Sequence, residues 1–265
     1  FMQLRNELEN GNLKRTLDNA KRWSDTIFIY DDCSTDGSQE FNLNYTDKSN
    51  IIFGDKREFH REMFHKQELL NLTIKSNPDW ICWIDGDDIL DRHLTTNLRG
   101  VIEGLESKGC DHAMWHNLNL FEHDAYFRKD NGFDRLWKVG LWKNTGALHY
   151  SPIEKLHQAQ HPIGMKKKDM LPNQLIHYGF SSPRHIARKY LMYKELGQDG
   201  WNLDRLIDEQ TSFTLEKVAK EIYPEENVPF DYDTCTMPTP KTYNVLRPMR
   251  GLGDIGEDFK WNSIQ

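Results

Sequence analysis

An α/β fold with a mostly parallel central sheet is what this sequence predicts, on three observations. Short apolar runs alternate with helical stretches over the first hundred residues. Two of those runs stop abruptly in acid, at Asp31-Asp32 and at Asp85-Gly86-Asp87-Asp88. Both acidic ends sit where an open α/β sheet binds its ligands, at the carboxyl ends of strands.

The elements follow in order. Leu13, Leu17, Ala20 and Trp23 recur at helical spacing and predict a first helix over residues 13–23. Residues 27–31 and 51–53 predict strands, the second ended by Gly54-Asp55. Residues 59–75 read as a helix, stopped by Asn77-Pro78-Asp79, which feeds a strand at 80–84. Leu94, Leu98, Val101, Ile102 and Leu105 form the stripe of a helix over 91–107. Beyond residue 111 the period changes. Residues 112–128 and 135–150 predict antiparallel strands, and residues 185–197 and 203–222 predict helices. From Pro224 the chain is Pro-rich and reads as an extended tail or wrapping arm. The domain reading is 1–110 for an α/β half, 111–222 for a second half of the same domain with C-terminal helices, and 223–265 for the tail.

Three carboxylates within four residues repel one another and are costly to bury without a cation. Asp85, Asp87 and Asp88 therefore suggest a hard metal with oxygen ligands and room for phosphate. The plainer reading is a solvated turn with Asp88 or Asp91 as a helix cap. Asp32-x-Ser34-x-Asp36-Gly37 also opens like a calcium loop, but the twelfth position is Leu43 where a bidentate Glu is needed.

Ile29-Tyr30-Asp31-Asp32-Cys33-Ser34-Thr35-Asp36-Gly37-Ser38 resembles the VVDDxSTDGS segment of family 2 glycosyltransferases, which have the GT-A fold. Arg5-Asn6-Glu7 resembles their NE turn, and Asp85-Gly86-Asp87 their DXD motif. The close likeness covers roughly residues 1–100, with a looser match to about residue 195. Only Phe1 to Leu4 remain to supply the family's first strand, which suggests a trimmed start.

The resemblance implies a nucleotide-diphospho-sugar donor, a glycan or other hydroxyl acceptor, a divalent Mn²⁺ or Mg²⁺ ion, and inversion at the anomeric carbon. It makes Asp87 a metal ligand, and gives Asp85 to the metal or the donor ribose. Asp32 takes the nucleotide base, with Gln3 and Arg5 beside it and Gly86 within the donor motif. Lys66 matches the helix position where a cation meets donor phosphate. His177 matches a further metal ligand from the C-terminal half. The catalytic base is open: Gln158 stands where some members carry the glutamate of an LHE segment, beside His157. Glu154, Asp134 and Asp130 are the substitutes. Inversion requires one of them within hydrogen-bond reach of the acceptor hydroxyl.

Composition bounds the rest. The chain has 265 residues, 37% hydrophobic, 28% charged and 12% aromatic, with a net charge of −7. That balance argues against a general nucleic-acid binder. Four separated cysteines give neither a disulfide framework nor a zinc ribbon, and fit a reducing, cytoplasmic setting at or away from a membrane surface. No apolar stretch reaches the ~20 residues of a membrane span. The pairs His157/His161 and His112/His116 lack the Glu of a zinc helix, and Lys166-Lys167-Lys168 reads as a solvated turn. Two rivals stay open. A sugar nucleotidyltransferase would need a Gly-rich, Arg-containing loop after the first strand, which Arg5-Asn6-Glu7 is not. A non-catalytic nucleotide-sugar-binding module is favoured by Gln158 and opposed by the intact acidic motif.

Overall fold

The computed structural model describes residues 1–130, 132–133, 136–153, 161–197, 206 and 214–238. They form two compact units. The described parts of 1–117, 137–176 and 221–227 build the first, and those of 118–136, 177–220 and 228–265 the second. The units thus interleave along the chain rather than following one another.

In the first unit, β1 (Met2–Leu4), β2 (Ile29–Asp31) and β3 (Ile51–Phe53) pair in parallel in that order. A five-stranded sheet runs β4 (Trp80–Cys82), β8 (Trp137–Lys143), β6 (His112–Asn119), β9 (Lys168–His177), β5 (Asp88–Leu90). Here β4–β8 and β6–β8 are antiparallel. The Phe1 ammonium donates to the Cys82 carbonyl at 2.6 Å and Ile84 N–H to the Phe1 carbonyl at 3.3 Å, so β1 lies beside the β4 segment. The β1–β2 and β2–β3 pairs are parallel, as helical crossovers allow.

Alternation along the strands builds two layers. Met2, Leu4, Ile29, Cys82 and Ile84 pack with Leu13, Leu17, Leu94, Leu98 and Leu105 of α1 (Asn12–Trp23) and α4 (Arg92–Ser107). Phe28, Tyr30, Ile81 and Trp83 face the other way, onto Met63, Leu69 and Leu70 of α3 (Glu62–Lys75) and Trp142 of β8. Asp91 caps α4: its carboxylate accepts from Leu94 N–H at 2.8 Å and from Gln174 N–H at 2.7 Å, tying the cap to β9. The cap expected of Asp88 or Asp91 falls to Asp91.

In the second unit, β7 (Tyr126–Arg128) pairs antiparallel with β10 (Leu215–Lys217). Phe121, Tyr126, Phe133 and Phe180 pack with Ile186, Ala187 and Tyr190 of α5 (Pro183–Glu195). The helix expected over 203–222 is corrected at its end: residues 215–217 are a strand, because β7 offers them a pairing edge. Residues 203–205 and 207–213 lie outside the described residues. Residues 135–150 hold one strand, β8, where two were expected; His149 instead forms a lone antiparallel bridge with Ile163. No helix among the described residues is long and apolar enough to cross a membrane.

Candidate functional site

The two acidic strand ends flank one residue, Leu4 at the end of β1. On one side its carbonyl accepts from Asp32 N–H at 2.9 Å. On the other, Gly86 packs so closely that a Cβ there would lie 2.7 Å from Leu4 Cβ and 3.0 Å from Glu7 Cγ. A single strand thus separates the ends, which puts them about 10 Å apart at ordinary strand spacing. Thr16 Oγ1 donates to the Gly86 carbonyl at 3.0 Å and fixes that turn from below.

Most of the first acidic motif is spent on its own loop. Asn6 and Cys33 take left-handed φ of 55° and 59°, turning the chain sharply after β1 and β2. Asn6 N–H donates to Ser34 Oγ at 2.9 Å, Thr35 N–H to Asn6 Oδ1 at 2.8 Å, and Glu9 N–H to Asp36 Oδ2 at 2.8 Å. Asp31 is fully buried and accepts from Ser34 N–H at 2.7 Å and from Gln39 and Asn42. Asp32 differs. It is also fully buried, and Oδ1 accepts from Glu58 N–H at 3.0 Å, but Oδ2 is buried with no hydrogen-bond partner. Burial pushes its carboxyl above the usual range, and Glu58 N–H, Arg5 and Arg57 pull back only in part. A buried acceptor without a donor is costly, so this oxygen suits an N–H brought by a ligand.

Gln3 extends that wall. Its Nε2 lies 2.9 Å from His65 Nδ1, and the His65 ring stacks on Tyr30 at 4.1 Å between centroids. Burial lowers the His65 pKa to about 4, so the ring is neutral at pH 7. Arg5 is half-buried and close enough to Asp32 to favour its charged form. Arg57 and Glu58, which sequence reasoning missed, share that role because the loop after β3 returns over Asp32.

The second acidic end is tighter than a solvated turn. Asp88 is fully buried, and Oδ2 accepts from Asp85 N–H at 2.9 Å and from Lys138 Nζ at 2.7 Å. Asp85 Oδ2 takes the same ammonium at 2.9 Å, while a third of the Asp85 side chain stays exposed. Asp87 is buried, with a carboxylate oxygen within 4.8 Å of one from Asp88. Lys66 on α3 is buried at 2% exposure, 4.0 Å from Glu62 Oε2 and 4.3 Å from the Trp83 ring. Burial lowers its pKa, with Glu62 and Asp85 opposing. Gly86 is placed by close packing on Leu4, which accounts for the glycine without a ligand.

Oxygen-only donors at a strand end, one of them part-exposed, suit a hard divalent cation. Asp87 and Asp88 bring carboxylate oxygens close enough together for such an ion. His177 ends β9 and belongs to the second unit, where its Nε2 lies 3.0 Å from Lys189 Nζ. Asp130, also in the second unit, is gripped at both oxygens by Arg128, at 2.8 and 2.9 Å. Glu154 and Asp134, with His157 and Gln158, lie outside the described residues.

Among solved structures, S. aureus TarS 1-349 in complex with UDP is similar at 9% identity, over 70% of this chain and 62% of that one, with a TM-score of 0.48. S. aureus TarS is similar at 11% identity over 78% and 41%, with a TM-score of 0.46. S. aureus TarS 1-349 in complex with UDP-GlcNAc is similar at 13% identity over 45% and 34%, with a TM-score of 0.35. The chain thus spans about 62% of the length of the first of these, and likenesses this distant carry no further argument. No curated protein matches the chain. Residues 2–114 match the family described as Glycosyl transferase family 2. That stretch is under half of the chain and holds Gln3, Arg5, Asp32, Lys66, Asp85, Gly86 and Asp87, so the likeness to family 2 glycosyltransferases falls on the expected donor residues.

Proposed function

We propose that this chain is a glycosyltransferase, which moves a sugar from a nucleotide-diphospho-sugar to a hydroxyl acceptor, a glycan, with Mn²⁺ or Mg²⁺ held at Asp87 beside Asp85. The observation that carries the reading is the position of Leu4, with Asp32, whose Oδ2 lacks a hydrogen-bond partner, on one side and the Asp85–Asp88 turn on the other. The spacing suits a base at Asp32 and a diphosphate at Asp85 and Asp87.

In this reading Asp32 Oδ2 accepts an N–H of the base, and Gln3 and Arg5 line the same wall. Lys66 supplies a buried point charge toward the phosphates. A bound cation would offset charge on the departing nucleoside diphosphate. The likeness to family 2 supports inversion. Glu154 or Asp134 takes the acceptor proton.

The test is donor consumption across UDP- and GDP-sugars, with MnCl₂ and with EDTA. The reading expects metal-dependent release of nucleoside diphosphate, lost in Asp87→Ala and reduced at least ~100-fold by Glu154→Gln or Asp134→Asn. Binding of a donor with neither hydrolysis nor transfer would overturn it in favour of a non-catalytic module.

A further inference from the structure

Lys138 has no part in the sequence motifs, yet it sits inside the acidic turn. It lies on β8, whose path is fixed from both sides. Trp83 N–H donates to the Gly140 carbonyl at 2.7 Å, and a Cβ at Gly140 would lie 2.1 Å from Trp115 Cζ2. That strand holds the Lys138 side chain at 10% exposure, with Nζ bonded to Asp85 Oδ2 and Asp88 Oδ2. The ammonium also lies 4.0 Å from the Trp83 ring centroid, and Lys66 Nζ lies 4.3 Å from the same ring.

Lys138 Nζ is thus hydrogen-bonded to two of the turn's three carboxylates, Asp85 and Asp88, and holds one oxygen of each.

We infer that Lys138 is a positioning residue, an internal counter-cation that occupies Asp85 Oδ2, braces Asp88, and thereby weakens the hold of the turn on a divalent ion at Asp87. The inference rests on the metal reading above and adds what sets the affinity. A fixed positive charge within a few ångströms of the ion opposes its binding before the donor arrives; a bound diphosphate then brings the missing negative charge.

The experiment is a titration of the protein with MnCl₂ alone, following free Mn²⁺ by electron paramagnetic resonance, with no donor present. Lys138→Gln removes the charge and is expected to bind Mn²⁺ at least about tenfold more tightly than wild type. Lys138→Arg keeps the charge and is expected to stay within about threefold of wild type. A purely structural lysine would weaken metal binding on removal, so the sign of the change decides. If the Gln variant does not fold, Lys138→Gln with Asp88→Asn removes the buried charge and its partner together; it is also expected to bind more tightly, because Asp85 Oδ2 is released. Mn²⁺ bound by wild type but no tighter by the folded neutral variant would overturn this inference alone. No Mn²⁺ bound by any form, with or without nucleoside diphosphate, would overturn the metal reading and this inference with it.

Discussion

Asp31 and Asp32 are adjacent carboxylates with opposite duties. Asp31 spends its oxygens on Ser34, Gln39 and Asn42, while Asp32 keeps Oδ2 without a partner. Asp32→Asn should therefore leave stability unchanged or higher, since an amide can still accept from Glu58 N–H and carries no charge to desolvate. Nucleoside diphosphate affinity should fall at least about tenfold, the worth of one charge-assisted bond. Calorimetric melting and titration together check both halves; a less stable variant with intact affinity would make Asp32 structural. His65 gives a pH prediction. Its folded pKa of about 4 lies below the ordinary 6.5, so the unfolded chain binds the extra proton between those values. Stability from this group is full above pH 6.5 and is lost as pH falls toward 4, on the order of 3 kcal/mol. Denaturant unfolding of His65→Gln at pH 7 and pH 5 should show a shallower loss than wild type, and equal losses would contradict the assignment. The motif aspartates were legible in sequence because like charges at a strand end call for a cation. Lys138 was not, since its partners lie 53 and 50 residues away and only strand register brings them together.

At the level of elements, the first hundred residues were readable because apolar spacing changes cleanly between strand and helix. The strand β9 was mostly missed. Pro172 and a charged start interrupt its pattern, and proline argues against a strand when no partner is known. Here the β9 backbone at Gln174 pairs with Asp91, a partner the local sequence does not reveal. Gly86 carries the prediction at this scale. A methyl group there must move Leu4 or Glu7, so Gly86→Ala should cost about 1–3 kcal/mol and lower Tm by several degrees. Because Leu4 also holds Asp32 by backbone, nucleotide affinity should fall too. An unchanged Tm by differential scanning calorimetry would show that the two acidic ends are not packed on one strand.

For the whole molecule, the interleaving of the two units was hidden from sequence, because each is closed by segments remote along the chain, such as β7 with β10 in the second. Arg128 tests their separateness. It is fully buried, paired with Asp130, and lies 4.5 Å from the Phe133 ring centroid and 5.0 Å from that of Phe121. Arg128→Met leaves Asp130 without its cation and should cost the second unit about 3–5 kcal/mol. Hydrogen exchange should rise over residues 121–133 and α5, with protection of β1, β2 and α1 retained. Uniform loss of protection would mean that the two units unfold as one.

The most direct test of the account is calorimetric titration of wild type, Asp32→Ala and Asp87→Ala with UDP, GDP, CDP and ADP, each with and without MnCl₂. At least one nucleotide should bind wild type more tightly with Mn²⁺. Asp32→Ala should weaken it under both conditions, and Asp87→Ala should remove only the increment due to the metal. A metal increment that survives in Asp87→Ala, or affinity indifferent to both substitutions, would contradict the placement of base and diphosphate on either side of Leu4.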